Sequence, residues 1–253
     1  MDATLSPRLK TLVRIARAAG IVVMRHYTAG CEARIKCDSS PVTDADEEAE
    51  KLILAELAAA YPGIPVVAEE EAAAGRIAQV GSHFFLVDPV DGTKEFVKKG
   101  GEFTVNIGEI RDGQPVGGVV LAPAIGRLFV GAAGEGAFEL SGDSIKPIAA
   151  RAPAADGLLA VSSRSHPDAK TDELLRTLRI KGNTNAGSSL KFCLVAAGEA
   201  DIYPRAGQTM EWDTAAGHAV LVAAGGRMTT WEGAPFVYGK PGFYNSAFIA
   251  RGR

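Results

Sequence analysis

In the stretch FFLVDPVDGTKEF (84–96), an apolar run ends in two aspartates, Asp88 and Asp91, with Gly92 and Thr93 directly behind them. Two carboxylates this close repel each other unless something positive sits between them. Asp, Pro and Gly all favour turns, so a plain tight turn explains the segment about as well as a site does. A hard divalent cation also explains why the acids are paired. Mg²⁺ takes oxygen ligands, keeps several waters and favours phosphate as a co-ligand. A helical turn over 93–98 would then offer backbone N–H groups to a phosphate, and glycine at 92 removes the side chain that would block close approach.

Other acids have bland explanations when taken singly. Glu69 and Glu70 end a short strand, IPVVAEE, and with Glu71 read as a solvated acidic loop. Asp213 follows Trp212 at the head of an alanine-rich helix, the position of an ordinary N-cap. Asp46 lies three residues after Thr43, the spacing of a capping box. Together they share one property: each stands at a strand end or a helix start, where loops gather at one edge of a sheet. A two-metal phosphatase needs carboxylates so placed, with its ions about 3.5–4 Å apart. The histidines, His26, His83, His166 and His218, are scattered, and no Ser-His-Asp or Cys-His arrangement is evident. His218, inside the last helix, reads as structural.

The elements that must position these acids follow from periodicity. Ser6-Pro7 opens a helix carrying Leu9, Leu12, Val13, Ala16 and Val23 at helical spacing, with Gly30 past its end. A second helix follows Thr43, striped by Ala49, Leu52, Ile53 and Leu57. HFFLVDP reads as a buried strand that Pro89 should stop. FTVNIGEI, PVGGVVLA, RLFVGAA and GAFEL, split by turn residues, predict an antiparallel meander. An Ala/Pro/Gly-rich stretch near 150–157 is the candidate boundary. It would separate an N-terminal α+β half (1–150) holding the metal-site acids from a C-terminal α/β half (151–253) holding substrate-binding residues. In the second half, strand LLAVSS, a helix from about Asp168, helix SSLKFCLVAAG, strand ADIYP, helix WDTAAGHAVLVAAGG and strands RMTTW and SAFIA predict layered α/β.

Composition narrows the function classes. The 253 residues are 47% hydrophobic and 23% charged with net charge −3, which fits a globular protein and gives no support to binding of a nucleic acid polymer. No secretory signal and no apolar run of about 18 residues is seen. Cys31, Cys37 and Cys193 form no even framework and read as free thiols in a reducing cytoplasm.

PVTDAD, AEE, DPVDGTKEF and WDTAAG, in that order, resemble the inositol monophosphatase superfamily of lithium-sensitive, Mg²⁺-dependent phosphatases. GEFTVNIG, SSRSH, GSSLKFCLVAAGEADIYPR and EWDTAAGHAV make the resemblance strongest to its 3'(2'),5'-bisphosphate nucleotidases of the bacterial CysQ type, over about Lys36 to Gly226. The resemblance implies a layered αβαβα sandwich with the site between two halves. It implies metal ligation by Glu69, Asp88, Asp91, Asp213 and the carbonyl of Val90, and Mg²⁺ as cofactor at roughly two or three ions per site. Gly92 and Thr93 would hold the scissile phosphate. Asp46 and Glu69, supported by the Thr93 hydroxyl, would position the attacking water. His166, Ser188, Lys191, Arg205 and Asp213 would line the substrate. Two departures stand out: Ala68, where relatives often carry Ser or Gly, and the extra acid Asp44.

The implied substrate is adenosine 3',5'-bisphosphate, with 3'-phosphoadenylyl sulfate a second candidate. Inositol monophosphate and fructose 1,6-bisphosphate remain alternatives. A non-catalytic phosphate-binding regulator is disfavoured because every metal acid is present. The expected location is the cytoplasm, with peripheral attachment at the inner face of the membrane and the oligomeric state left open.

Overall fold

The structure, a computed structural model, describes residues 5–30, 33–35, 41–164 and 168–253. Ser6 caps α1 (Pro7–Ala29): its side chain accepts the Leu9 N–H, Pro7 fills the first turn, and Gly30 ends the helix at φ 82°. Strands β1 (Arg34–Ile35) and β2 (Pro41–Val42) form a small antiparallel ribbon that leads into α2 (Asp44–Ala60). The capping box read from Thr43 and Asp46 is present in both directions.

A seven-stranded sheet follows: β3 (Val66–Ala68), β4 (His83–Asp91), β5 (Thr104–Arg111), β6 (Gln114–Ala122), β7 (Arg127–Ala132), β8 (Gly136–Ser141) and β9 (Ser144–Ile148), in that spatial order. β3 pairs parallel to β4 and the rest form an antiparallel meander. The short helices α3 (Glu69–Ala73) and α4 (Thr93–Val97) follow β3 and β4 directly. The second sheet takes β10 (Leu158–Ser163), β11 (Ile180–Ala186), β12 (Ile202–Arg205), β14 (Arg227–Thr230) and β16 (Phe248–Arg251) in the order β11-β10-β12-β16-β14. Between these strands lie α5 (Ala169–Thr177), α6 (Leu190–Ala196), α7 (Ala215–Ala223) and a ribbon of β13 (Thr209–Met210) with β15 (Tyr244–Asn245).

Alternation along the strands sorts the interior into layers. Phe85, Val87, Val105, Ile107 and Val119 face α1 and α2, together with Leu12, Ile15, Ile53 and Leu57. Phe84, Leu86, Val120 and Phe129 face the other way and join α6, α7 and the second sheet through Phe192, Val220, Tyr203 and Phe248. Outside the second sheet, Ala160, Ile202 and Ile249 pack with Leu174 and Leu175 of α5. The result is an αβαβα sandwich.

Pro89 does not stop its strand. β4 continues to Asp91, and the register slips between Asp88↔Asn106 and Asp91↔Thr104, so one extra residue bulges out of β4. The bulge removes the ladder position at which the missing proline N–H would have mattered. It also re-aims the two aspartates that flank it. The strands β9 and β11, absent from the sequence reading, are edge strands of mostly exposed or half-exposed residues.

Two glycines set how close α7 comes to the first sheet. A Cβ on Gly108 would stand 2.8 Å from the Ala216 nitrogen, and one on Gly118 2.6 Å from the Ala216 oxygen. The helix that starts just after Asp213 therefore lies directly on the backbone of β5 and β6. Gly118→Ala should lower stability by about 1–3 kcal/mol and reduce activity by shifting α7, read as an earlier urea midpoint. Gly81→Ala, where an added Cβ meets nothing within 4 Å, should stay within about 0.5 kcal/mol of wild type. Equal midpoints for the two variants would refute the close approach.

Candidate metal and phosphate site

Glu69, the first residue of α3, Asp88 in β4 and Asp213 ahead of α7 converge. Each offers a carboxylate oxygen within 4.8 Å of the others. Asp88 is 1% exposed. Its Oδ1 accepts the Val90 N–H at 3.0 Å, a local turn that fits the bulge. Taken singly, Asp213 reads as the cap of α7, but the cap position belongs to Thr214. Asp213 instead accepts the Met210 N–H through Oδ2 at 2.8 Å, which holds its carboxylate beside the other two.

Asp91 stands next to this trio and lines the same cavity. Its Oδ2 accepts the Ser189 N–H at 2.5 Å, so the second half of the chain grips an acid of the first. Thr93 opens α4 behind Gly92, which is left-handed at φ 90°. A side chain at 92 would meet the Glu102 carbonyl and the Glu95 carboxylate at 3.3 Å, so both conformation and space select glycine. The Thr93 hydroxyl lies 3.2 Å from the Val90 carbonyl and 3.4 Å from Asp46 Oδ1. Asp46, 2% exposed, spends Oδ2 on the Thr43 N–H and hydroxyl at 2.9 and 2.7 Å. One carboxylate thus completes the α2 cap and reaches the threonine that opens α4.

The cavity, about 260 Å³, is lined by Glu69, Asp91, Gly92, Thr93 and Asp213 on the acidic side and also by Ser188, Lys191, Tyr203, Arg205 and Phe248. Lys191 is 3% exposed. Its ammonium donates to the carbonyls of Ala186 and Ser188 at 3.2 and 2.5 Å. Those bonds brace a turn in which Ser188 takes φ 45°. Arg205 ends β12 and donates through Nε to the Gly207 carbonyl at 3.3 Å. His166 lies outside the described residues, as do Cys31 and Cys37. His218 is buried against Tyr238, Nδ1 3.0 Å from its hydroxyl, and burial pushes it down to about 3, so it is neutral.

Sequence reasoning missed several residues of the site. Ser189, rather than its neighbour Ser188, contacts Asp91 and bonds Thr104 and Asn106, both buried in β5. Glu102 accepts the Gly187 N–H at 2.7 Å and forms an ion pair with Arg164 at 3.0 Å. Tyr203 and Phe248 add aromatic surface to the cavity. Only Tyr203 carried a signal, as the residue just before the Pro204-Arg205 strand end.

Electrostatics favour a positive charge at the trio. Burial first, then the charges of Glu69, Asp91 and Asp213, push Asp88 well above the usual carboxylate range. Burial, then Asp91 and Glu69, raise Asp213 likewise. Burial raises Asp91 to about 6, with Lys191 and the Ser189 N–H opposing it. All the converging donors are oxygen, the donor set of a hard divalent ion.

The chain belongs to the inositol monophosphatase family, metal-dependent phosphatases whose model matches residues 4–251. It is 44% identical to the 3'(2'),5'-bisphosphate nucleotidase CysQ of Escherichia coli K12 over 245 residues, 95% of this chain and 98% of that one. The CysQ nucleotidase of Buchnera aphidicola is 41% identical over 96% and 92% of the two chains. Among solved structures, CysQ from Bacteroides thetaiotaomicron matches with TM-score 0.80 at 34% identity, covering 97% of both chains. Thermotoga maritima IMPase matches with TM-score 0.81 at 25% identity, covering 97% and 92%.

The clustered acids should leave a pH signature in the metal-free protein. The folded-state pKa values of Asp88, Asp91 and Asp213 are raised, so the folded state holds protons that the unfolded chain releases. Stability therefore falls as pH rises from the ordinary aspartate value near 4 through about 6, where Asp91 titrates. Thermal melts of metal-free protein should show a lower Tm at pH 7.5 than at pH 5.5, and saturating Mg²⁺ should narrow the gap. Asp88→Asn keeps the bond to the Val90 N–H and should flatten the pH dependence while raising the metal-free Tm. An unchanged slope in that variant would show that the acids do not repel as described.

Proposed function

We propose that this chain is a 3'(2'),5'-bisphosphate nucleotidase that removes the 3'-phosphate of adenosine 3',5'-bisphosphate in a Mg²⁺-dependent hydrolysis, with 3'-phosphoadenylyl sulfate as a second substrate. The observation that carries this reading is the convergence of Glu69, Asp88 and Asp213, two of which, Glu69 and Asp213, line a cavity shared with Asp91, Lys191 and Arg205. Similarity to the curated CysQ nucleotidases over 95% of the chain selects the substrate class.

In this reading Glu69, Asp88, Asp91, Asp213 and the Val90 carbonyl hold the Mg²⁺ ions. When bound, these ions supply Lewis acidity that makes a water acidic and offsets charge on the leaving oxygen. The chain's own groups do the rest. Backbone N–H groups at Gly92 and Thr93 hold the scissile phosphate. Asp46 fixes the Thr93 hydroxyl, and with Glu69 these groups orient the attacking water. Hydrolysis of a phosphate monoester depends mostly on such positioning and charge, and no phosphoenzyme is required. Asp91→Asn then abolishes turnover. Lithium inhibition and a cytoplasmic location belong to the same proposal; among the described residues no helix is long and apolar enough to cross a membrane.

The second phosphate needs a cation away from the metals, and Arg205 supplies it, with Lys191 adding positive charge to the same cavity. Arginine can grip phosphate with two parallel hydrogen bonds, whereas lysine acts as a point charge. Burial lowers Lys191 to about 8 even with Asp91 opposing the shift, so an incoming dianion favours its charged form. His166 and Ser188 complete the proposed substrate contacts.

The test is phosphate release from adenosine 3',5'-bisphosphate, inositol 1-phosphate and fructose 1,6-bisphosphate at matched Mg²⁺. The adenosine substrate should give the highest kcat/KM. A higher value for either sugar phosphate would move the assignment to that substrate. Arg205→Ala should lower kcat/KM for the adenosine substrate about ten- to a hundredfold, the worth of a charge-assisted bond of roughly 1.5–3 kcal/mol, and much less for inositol 1-phosphate. Lys191→Ala should lower both, because Lys191 also offsets Asp91 and braces Ser188. Equal losses for Arg205→Ala on both substrates would contradict its role at the second phosphate.

A further inference from the structure

Glu50 is a buried acid that the chemistry described so far does not use. It is 3% exposed and lies one helical turn after Asp46 on the same face of α2. Both of its oxygens are occupied: Oε2 accepts the Glu70 N–H at 2.7 Å and Oε1 the Glu71 N–H at 2.8 Å. These are the second and third amides of α3, the pair that an N-cap side chain ordinarily satisfies. The N-cap of α3 is Ala68, which has no side chain able to do so. Glu50 therefore caps α3 from a different helix.

We propose that Glu50 is a positioning residue for the metal site: by clamping the first turn of α3 it fixes where Glu69, the first residue of that helix, presents its carboxylate. The proposal rests on the reading of Glu69 as a metal ligand.

A purely stabilising role fits the geometry poorly. α3 has five residues and none of them is buried, so anchoring it secures almost no core. Its first turn consists of Glu69, Glu70 and Glu71, and Glu50 adds a fourth carboxylate to that cluster. Charge repulsion works against such an arrangement, so holding the acids in place is what the clamp achieves. The same face of α2 carries Asp46, which reaches Thr93. Two buried acids four residues apart thus tie one rigid helix to both loops of the site. Asp46 holds the loop behind Asp88 and Asp91, and Glu50 holds the loop that carries Glu69. Because α2 does not stretch, the spacing of the two loops is set by the helix between these acids.

Outer contacts of this kind typically change metal affinity or activity about ten- to a hundredfold when removed. Glu50→Gln keeps the volume but offers one acceptor and turns an NH₂ toward the other amide. We expect calorimetric titration of metal-free Glu50→Gln with Mg²⁺ to show affinity about tenfold or more weaker than wild type. Half-maximal phosphate release should need correspondingly more Mg²⁺, with the KM for adenosine 3',5'-bisphosphate unchanged and kcat largely recovered at saturating Mg²⁺. Ala68→Ser places a hydroxyl at the N-cap of α3, within the reach of the same two amides. Combined with Glu50→Gln it should restore Mg²⁺ affinity in part, which a general loss of stability would not allow. Glu47→Gln, exposed one turn earlier on α2, should leave Mg²⁺ binding unchanged.

If Glu50→Gln does not fold, Glu50→Asp takes its place, keeping the charge and withdrawing it by one methylene. Wild-type Mg²⁺ affinity in a folded Glu50 variant would overturn the proposal, and so would a loss that Ala68→Ser leaves untouched. Wild-type protein that binds Mg²⁺ but releases no phosphate would defeat the functional reading and leave the Glu50 proposal standing.

Discussion

Mutual repulsion of carboxylates is the constraint around which this fold is arranged. Glu69, Asp88 and Asp213 lie within 4.8 Å of one another with Asp91 beside them, and burial raises the cost of charging Asp88, Asp91 and Asp213. Left to relax, such acids would separate or take up protons. Each is held by a specific feature: the bulge in β4, the Met210 N–H on Asp213, the Ser189 N–H on Asp91 and the Glu50 clamp on α3. The metal-free state is therefore poised, its acids arranged before the charge that balances them arrives. Preorganisation of this kind lowers stability at the site, and the layered core of Phe, Leu, Ile and Val on both faces of the first sheet compensates for the loss.

How much was legible in the sequence follows from how local each signal is. The Ser6-Pro7 start, the Thr43–Asp46 capping box and the meander from Thr104 to Ser141 could be read because their signals span a few residues. The edge strand β11, IKGNTNA, could not: it alternates weakly and is mostly exposed, and its pairing to β10 is set by the chain between them. Pro89 misled because the rule that proline ends a strand assumes an unbroken ladder, and here the bulge supplies the exception. The acids were individually ambiguous for the same reason. Asp213 looks like an N-cap and Glu69 like part of a surface loop until tertiary structure brings them together. Only their joint order along the chain, recognised through family resemblance, pointed to one site.

The two sheets meet at the site, and they do so through the turn at Gly187-Ser188-Ser189. A Cβ on Gly187 would stand 2.4 Å from the Glu102 carbonyl, so the turn sits against the loop after α4 with no room to spare. Glu102 accepts the Gly187 N–H, the Ser188 hydroxyl donates to the Glu102 carbonyl at 3.0 Å, and Ser189 reaches Asp91, Thr104 and Asn106. Apolar packing alone would hold the halves together with little angular precision. These directional bonds fix the angle at which the cations of the second half face the acids of the first.

Lys191 shows why that junction matters. Its ammonium is buried, braces the Ser188 carbonyl and offsets Asp91, yet it also lines the cavity. A cation used in this way cannot be reduced to a substrate contact or to a structural prop. It lowers the repulsion that the acids generate, and it does so from the second half of the chain, across the cavity. Metal binding and substrate binding then act on the same electrostatic balance: each carboxylate neutralised by a cation frees more of the lysine's charge for an anion.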